Sequence, residues 1–164
     1  MKIAFLGIGT WGYCLSNVLA SNGHQLKMWS IEKSLVETLK QGKSHPNLSE
    51  AYPLENMSFT EDLEEAVKGV DLICESVTSN GIRPVFEKLK KMGLSDIPVC
   101  VTSKGIERST GNLLPEIVLE VLGDSYKNKI ACLSGPSHAE EVIQKQPTSV
   151  VCGAWNEEVR YFVQ

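Results

Sequence analysis

The sequence predicts an α/β protein in which helices cover both faces of a mostly parallel β-sheet. Short apolar stretches alternate along the chain with stretches whose apolar residues recur at helical spacing. The strand-like stretches are apolar almost throughout, as expected of strands that are buried on both faces. A glycine-rich turn at residues 7–12 joins the first strand to the first helix, which is the arrangement at the start of many such sheets.

Seven stretches have the length and composition of buried strands. They cover residues 2–6, 25–29, 57–59, 70–74, 97–102, 129–133 and 148–152. Helical stripes follow the first six strands, and they consist of Trp11, Leu15, Val18 and Leu19; Leu35, Val36 and Leu39; Leu63 to Val67; Ile82, Val85, Phe86 and Leu89; Leu113, Leu114, Ile117, Val118, Val121 and Leu122; and Ala139, Val142 and Ile143. Thr60 is predicted to cap the third helix, and Ser134 the sixth, with Pro136 in its first turn.

The composition is that of a soluble globular protein. The chain has 164 residues, which fits one domain, with 42% hydrophobic and 22% charged residues. The net charge is −4 and no basic run is present, so the sequence gives no sign of a nucleic acid partner. It contains no transmembrane segment and no signal peptide, since the apolar start ends at Leu6, and no membrane partner is expected.

The five cysteines predict neither a metal site nor a disulfide framework, because they are scattered without a Cys-x-x-Cys pair or zinc spacing. Cys74, Cys100, Cys132 and Cys152 fall in or beside predicted strands, where a cysteine behaves as a small hydrophobic residue. We therefore expect inert, buried thiols in a reducing compartment, which indicates a cytoplasmic protein.

The turn Gly7-Ile8-Gly9-Thr10-Trp11-Gly12 has the pattern of a dinucleotide-binding loop in a Rossmann-type sheet. Gly7 suits the positive φ of a tight turn, Gly9 lets a pyrophosphate approach the backbone, and Gly12 allows close packing at the start of the helix. The helix N-terminus would direct its N–H groups and the positive end of its dipole at the phosphates. A glycine-rich turn without a ligand is the alternative, but the position between a strand and a helix favours a dinucleotide.

Three later loops should open at the same edge of the sheet, because ligands bind outside the carboxyl ends of the strands. They are residues 75–80, 103–107 and 134–138. Lys104 could hold an anionic substrate or be an ordinary solvated lysine. Gly135 and Ser137 could present donors to a ligand or belong only to a helix cap. His45 and His138 are left without a role, since single histidines near loops are commonly structural.

Taken together, the motifs resemble the NAD(P)-dependent glycerol-3-phosphate dehydrogenases of the bacterial type. The resemblance rests on the glycine turn with Trp11, on His45-Pro46, on Thr102-Ser103-Lys104-Gly105-Ile106-Glu107 and on Leu133-Ser134-Gly135-Pro136-Ser137, which stand in the family's order. That family reduces dihydroxyacetone phosphate to sn-glycerol 3-phosphate with NAD(P)H, for glycerophospholipid synthesis. The resemblance implies that Thr10, Trp11, Lys104 and Ala139 contact the cofactor, and that Lys104, Gly135 and Ser137 contact the substrate.

The sequence departs from the family in length. Family members are much longer, and their second, helical domain carries a Gly-Gly-x-x-Lys-Asn motif whose lysine is the proposed proton donor. No such motif occurs before Gln164. We therefore expect residues 1–164 to be the cofactor-binding domain alone, which binds the dinucleotide, contains no catalytic residue and is not catalytically competent by itself.

The choice between NAD and NADP is usually made just after the second strand, by an acid on the ribose hydroxyls or a base on the 2′-phosphate. Here that segment contains Ile31, Glu32 and Lys33. The resemblance places Ile31 in the cofactor site, where many bacterial members carry arginine or histidine. Glu32 favours NAD and Lys33 favours NADP, so the sequence leaves the choice open with a slight preference for NAD.

Two other functions are compatible with the sequence. One is a different two-domain dehydrogenase, of the hydroxyacid or ketopantoate type, although the loops around Lys104 and Ser134 speak against it. The other is a non-catalytic dinucleotide-binding module that senses redox state or docks a partner. A substrate panel separates the first from the family's activity, and continuation of the gene beyond Gln164 separates the second. Assembly into a homo-oligomer is left open.

Overall fold

The computed structural model describes residues 1–48, 50–94 and 96–164. Within these residues, one sheet contains seven strands, namely β1 Lys2–Leu6, β2 Gln25–Trp29, β3 Met57–Thr60, β4 Leu72–Glu75, β5 Val99–Val101, β6 Ile130–Ser134 and β7 Val151–Ala154. Their order across the sheet is β3-β2-β1-β4-β5-β6-β7. Neighbouring strands are parallel except β6 and β7, which are antiparallel. The predicted α/β fold with a mostly parallel, Rossmann-type sheet is confirmed.

Helices connect successive strands, and a last helix follows β7. They are α1 Thr10–Ser21, α2 Lys33–Lys40, α3 Leu63–Val67, α4 Ile82–Lys91, α5 Leu114–Leu122, α6 Ala139–Ile143 and α7 Glu157–Val163, with a 3-10 helix at Asp124–Lys129. Each predicted strand and helix is present, and the ends of the strands differ from the predicted ones by up to three residues. Among the described residues, no helix is both long enough and apolar enough to cross a membrane.

The sheet separates two hydrophobic cores, because successive side chains of a strand point to opposite faces. One core contains Phe5 of β1 and Tyr13 of α1, together with side chains of α2 and α6. The other contains Ile73 of β4, Phe86 of α4 and Ile117 of α5, together with side chains of α3. Helix layers therefore cover both faces of the sheet, as the sequence predicts.

The buried face of α1 differs from the predicted stripe. Trp11, Leu15 and Leu19 are only half-buried, and Val18 is exposed. The buried residues of α1 are Gly12, Tyr13, Cys14, Ser16 and Ala20. A small residue is needed where the helix begins, because a Cβ on Gly12 would lie 2.2 Å from the Gly7 carbonyl oxygen. Hydrophobicity alone therefore does not identify the buried face of a helix when small residues are needed there for close packing against the backbone.

Two predicted helix caps are wrong. Thr60 ends β3, and α3 is capped by Asp62, whose side chain accepts hydrogen bonds from two N–H groups of the first turn. Ser134 ends β6 and pairs with the antiparallel strand β7. The helix that follows begins only after His138, so Pro136 lies in the connecting loop and not in a first helical turn.

The cysteines are free thiols, as expected, but they are not equally buried. Cys74 and Cys100 are buried in neighbouring central strands, whereas Cys132 and Cys152 are only half-buried because β6 and β7 lie towards the edge of the sheet. The prediction of burial is therefore wrong for the latter two. Among the described residues, no group of three potential metal ligands occurs.

Candidate functional site

The carboxyl ends of β1 and β4 border a crevice at the centre of the sheet. β1 leads into α1 on one face of the sheet, and β4 leads towards α4 on the other. The two connections diverge and leave a gap, as at the ligand sites of other doubly wound sheets. Two clefts lie along this edge, and they share residues 76–78 as a common wall.

The first cleft has a volume of about 450 Å³. Its lining includes residues 7–9 of the glycine turn, residues 29–32 after β2 and residues 76–78 after β4, with Lys88 of α4 on the opposite side. Ile31 is 81% exposed and stands at the rim. The structure thus brings Ile31 together with the glycine turn, as expected of two parts of one cofactor site.

The glycines of the turn have distinct surroundings. Gly7 has a φ of 92°, and a Cβ there would lie 2.6 Å from the Ser76 carbonyl oxygen. A Cβ on Gly9, in contrast, would meet no atom within 4 Å. Gly9 thus leaves open space at the N-terminus of α1, where no side chain caps the free N–H groups. These are the features that suit a phosphate-binding turn.

His45 supports the glycine turn from inside the core. Its Nε2 lies 3.1 Å from the Ile8 carbonyl oxygen, and its ring centroid lies 4.9 Å from that of Tyr13. Burial lowers the pKa of His45, so the ring is neutral near pH 7. Because a carbonyl oxygen can only accept, Nε2 carries the proton and donates it. His45 therefore has a structural role.

The second cleft has a volume of about 390 Å³ and extends from the shared wall towards α6. The start of α1, the loop after β5 and the start of α6 contribute to its lining. Five of the residues predicted for the site meet there, namely Thr10, Trp11, Lys104, Ser137 and Ala139. His138 also lines this cleft and is exposed.

Lys104 is exposed, but its amine is held in place. Nζ donates to Ser137 Oγ at 2.8 Å and to the Ser137 carbonyl oxygen at 3.3 Å. It also lies 4.9 Å from the centroid of the Trp11 ring, within range of a cation–π contact. Trp11 in turn donates its Nε1–H to the Thr102 carbonyl oxygen at 3.1 Å. A positive charge fixed in a cleft favours a ligand-binding role over that of a freely solvated lysine.

Gly135 lies beside the second cleft but does not line it. Its carbonyl oxygen accepts a hydrogen bond from Ser137 Oγ at 3.3 Å. A Cβ on Gly135 would lie 3.0 Å from the Ser149 carbonyl oxygen, so this glycine faces the segment before β7. The structure therefore brings Ser137, and not Gly135, to Lys104, and a substrate contact by Gly135 stays a prediction.

A buried acid lies at this edge that was not among the site residues predicted from the sequence. Glu75, the last residue of β4, is completely buried. Burial raises the pKa of its carboxyl group to about 7, although hydrogen bonds from Ser103 and Val77 act in the opposite direction. A signal was available, because Glu75 is an acidic residue directly after the apolar residues Leu72, Ile73 and Cys74, at the start of a predicted ligand loop.

An ion-pair fork anchors the far end of the Lys104 loop and was also missed. Arg83 of α4 donates to both carboxyl oxygens of Glu107, at 2.7 and 2.8 Å, and to both of Glu120 on α5, at 3.1 Å. The Arg83 guanidinium and the Thr110 hydroxyl lower the pKa of Glu107 to about 2. Glu107 therefore stays ionised, and the loop is tied to both helices.

Comparison with known families agrees with this geometry. The family described as NAD-dependent glycerol-3-phosphate dehydrogenase N-terminus matches residues 2–160. The chain belongs to this family. The matched region contains both clefts, and the resemblance inferred from the glycine turn and the Lys104 loop is confirmed.

Curated relatives extend beyond the region that this chain covers. The glycerol-3-phosphate dehydrogenase (NAD(P)+) of Protochlamydia amoebophila is 49% identical over 158 residues, which are 96% of this chain and 47% of the relative. The corresponding protein of Chlamydia pneumoniae is 46% identical over 154 residues, which are 94% of this chain and 46% of the relative. The chain thus spans about half the length of these relatives.

Solved structures show the same fold. Glycerol-3-phosphate dehydrogenase from Coxiella burnetii superimposes with a TM-score of 0.89 at 28% identity, covering 99% of this chain and 49% of that one. UDP-D-ManNAc dehydrogenase from Pyrococcus horikoshii superimposes with a TM-score of 0.80 at 15% identity, covering 99% of this chain and 43% of that one. The second similarity concerns the fold alone.

Proposed function

We propose that this chain is the dinucleotide-binding part of a glycerol-3-phosphate dehydrogenase, which interconverts dihydroxyacetone phosphate and sn-glycerol 3-phosphate with NAD or NADP. One observation carries the proposal. The open turn at Gly9 and the amine of Lys104 lie in two clefts that share the wall formed by residues 76–78. A place for a diphosphate and a fixed cation for an anionic substrate are therefore adjacent, as transfer between two bound molecules requires.

The residues present fit a dinucleotide along this edge. The adenosine would lie in the first cleft, near Ile31, and the pyrophosphate over the uncovered space at Gly9. The other end would extend into the second cleft, where Trp11, Lys104 and Ala139 line the wall. The nicotinamide supplies the hydride when it is bound, and the protein supplies position and charge.

Lys104 and Ser137 are the groups that we assign to the substrate, with Gly135 supporting their loop. The Lys104 ammonium would neutralise the phosphate of the substrate, and Ser137 holds that ammonium in place through the 2.8 Å hydrogen bond. We assign no catalytic proton donor to this chain. In this proposal residues 1–164 are one cofactor-binding domain, and the donor belongs to the helical domain of the full-length enzyme.

The proposed partners are small molecules, and the proposed compartment is the cytoplasm. Five free thiols support a reducing environment. Between the two cofactors we favour NAD, since Ile31 offers no positive charge to a 2′-phosphate and Glu32, which lines the first cleft, can accept hydrogen bonds from ribose hydroxyls.

The test is direct binding of NADH and NADPH to the 164-residue chain, measured by calorimetry, with dihydroxyacetone phosphate added as a second titrant. We expect NADH to bind, and Lys104→Ala to weaken the binding of both ligands. Lys91→Ala, an exposed lysine at the end of α4, is the matched control. The proposal would be overturned if neither NADH nor NADPH bound to the chain.

A further inference from the structure

Glu75 occupies a position at which an apolar side chain would continue the strand. It follows Leu72, Ile73 and Cys74 in β4, between the central strands β1 and β5, and none of its surface is exposed. A carboxyl group in such surroundings costs free energy, even when part of it is hydrogen-bonded. Its presence therefore needs a reason other than packing.

One carboxyl oxygen of Glu75 is fully used. Oε1 accepts hydrogen bonds from the Val77 N–H and the Ser103 hydroxyl, both at 2.7 Å. Ser103 Oγ also lies 2.5 Å from the Val77 carbonyl oxygen, so the three residues form a closed triangle in which the single Ser103 proton is shared between two acceptors. Oε2 is buried and has no hydrogen-bond partner in the described part of the chain. The triangle joins the loop after β4 to the loop after β5.

The triangle lies directly behind the second cleft. Val77 and Ser103 line that cleft, and Lys104 is the next residue along the chain. The residue before Ser103 is tied independently, because Thr102 donates its N–H and its hydroxyl to the Glu75 carbonyl oxygen at 2.9 and 2.7 Å. Removal of the Glu75 carboxyl group would therefore leave Ser103 with only its contact to the Val77 carbonyl oxygen, and would leave the strand pairing intact.

We propose that Glu75 is a positioning residue for the substrate end of the crevice: its carboxyl group holds Ser103, and through Ser103 the main chain of Lys104, against the loop after β4. This inference rests on the proposed function, in which Lys104 meets the cofactor and the substrate. A merely structural role predicts that replacement of the Glu75 carboxyl group by an apolar side chain of similar volume leaves ligand binding unchanged, because the side chain would then only fill space in the sheet. Positioning predicts that this replacement keeps the fold and weakens binding.

The experiment uses four variants of the 164-residue chain. Glu75→Leu removes both acceptors, whereas Glu75→Gln retains an oxygen in the place of Oε1. Ser103→Ala breaks the same contact from the other side, and keeps the test decisive if Glu75→Leu does not fold. Glu87→Leu, at an exposed position of α4, is the matched control.

Three quantities are measured: Tm, the affinities for NADH and for ADP, and amide hydrogen exchange of residues 102–107 without nucleotide. Glu75→Leu should lose about tenfold in NADH affinity, retain its ADP affinity and Tm, and exchange faster at residues 102–107. ADP is the control ligand because it lacks the nicotinamide end. Ser103→Ala should behave likewise, whereas Glu75→Gln should resemble the parent in both affinity and exchange.

Several results would overturn the inference. Unchanged exchange at residues 102–107 in Glu75→Leu would show that the carboxyl group does not hold the loop. Equal losses of NADH and ADP affinity would show a general disturbance of the crevice, and a Glu75→Gln variant as impaired as Glu75→Leu would exclude the oxygen contact. If the parent chain binds no dinucleotide, the proposed function fails, and the exchange data still decide whether Glu75 holds the Lys104 loop.

Discussion

Gly9 and Gly12 belong to one turn, yet the space around them differs completely. A side chain on Gly9 would point into an empty cleft, whereas a side chain on Gly12 would collide with the backbone of Gly7. The first glycine is therefore dispensable for the fold, and in the proposed function it is needed for the ligand, whereas the second is needed for the fold itself.

We expect Gly9→Val to fold normally and to lose dinucleotide binding. No protein atom lies within 4 Å of the added Cβ, so the side chain conflicts only with a pyrophosphate. NADH affinity should fall at least about tenfold, which corresponds to roughly 1.4 kcal/mol. Calorimetry measures the affinity, and thermal unfolding confirms the fold. Unchanged affinity would show that this turn is not the phosphate site.

Gly12→Ala should have the opposite consequence, because its Cβ would lie 2.2 Å from the Gly7 carbonyl oxygen. The backbone must move to relieve this contact, and over-packing of this kind typically costs about 1–3 kcal/mol. Urea unfolding should show this loss of stability in the absence of any ligand. A variant as stable as the parent would contradict the close approach described for the start of α1.

The stability of the chain should depend on pH through Glu75. Its carboxyl group titrates near 7 in the folded chain and near 4.5 when unfolded, so the folded chain binds the proton more tightly. The free energy of unfolding contributed by Glu75 is therefore highest below pH 4.5 and falls by about 3 kcal/mol as the pH rises through 7. In urea titrations between pH 4.5 and 8, the difference in stability between the parent and Glu75→Gln should show this slope. A difference that does not change with pH would contradict it.

The role of a single residue can be predicted from the sequence when that role depends on neighbouring residues in the chain. The positive φ of Gly7 and the close packing at Gly12 follow from their spacing, and both are found in the structure. The contact of Glu75 with Ser103 could not be predicted, because it depends on the distance between two loops that are remote in sequence. The same is true of the hydrogen bond between Lys104 and Ser137, although the parallel strands predict that both face one edge.

In the proposed function, the residues at the end of β2 set the cofactor preference. Ile31 stands at the rim of the first cleft, and Glu32 is the N-cap residue of α2. Lys88 of α4 lines the same cleft from the opposite side, so a positive charge is available there but comes from another element. The sequence segment 29–33 alone could not reveal that contribution.

We expect the parent chain to prefer NADH, and Ile31→Arg to shift the preference towards NADPH by about tenfold, or roughly 1.4 kcal/mol. A guanidinium at this exposed rim can bind a 2′-phosphate without displacing core side chains, since Ile31 is 81% exposed. Competitive titration of the two reduced cofactors measures the ratio. Ile31→Gln is the uncharged control. A parent chain that binds NADPH more than tenfold better than NADH would contradict the proposed preference.

The residues at which helices begin cannot be predicted from the local sequence alone. Thr60 and Ser134 are both suitable capping residues in sequence, but both are held in strands that pair with neighbours. Strand pairing between remote segments therefore decides where these helices begin, and Asp62 and His138 precede them instead. Tertiary contacts of this kind are not visible in the local sequence.

For the molecule as a whole, we expect that the 164-residue chain does not oxidise NADH with dihydroxyacetone phosphate. Orientation of two reactants can supply about 7–11 kcal/mol to such reactions. Lys104 and Ser137 form only one wall of the second cleft, so a substrate bound there keeps most of its freedom and gains little of this advantage. A positioned proton donor supplies about 10²–10⁴ in rate, and none is assigned to this chain.

The measurement is NADH absorbance with excess dihydroxyacetone phosphate, for this chain, for a version extended to the length of its relatives, and for the extended version with Lys104→Ala. We expect no turnover, turnover and severely impaired turnover, respectively. Enzyme-proportional oxidation by the short chain would show that the proton donor lies within residues 1–164, and would direct attention to Lys104 and His138.

The fold class could be predicted from the sequence, but the order and direction of the strands in the sheet could not. Alternation and apolar strands predict the layers and the parallel sheet, because strands buried on both faces are apolar throughout. They do not state that β4 pairs with β1 and not with β3, nor that β7 runs antiparallel to β6. Those arrangements depend on which long-range pairings bury the most surface in the complete chain.

The pairing of β1 with β4 also has a consequence for how the molecule assembles. Leu6 pairs with Glu75, and the part of the chain between them contains β2 and β3, which lie on the other side of β1. Before this pairing forms, the glycine turn exists without the wall at residues 76–78, and a nascent or partly folded chain has half a crevice. A ligand that needs both halves binds only the assembled sheet and draws the population towards it by mass action. A nucleotide present during synthesis would thus favour completion of the most remote pairing at the centre of the sheet.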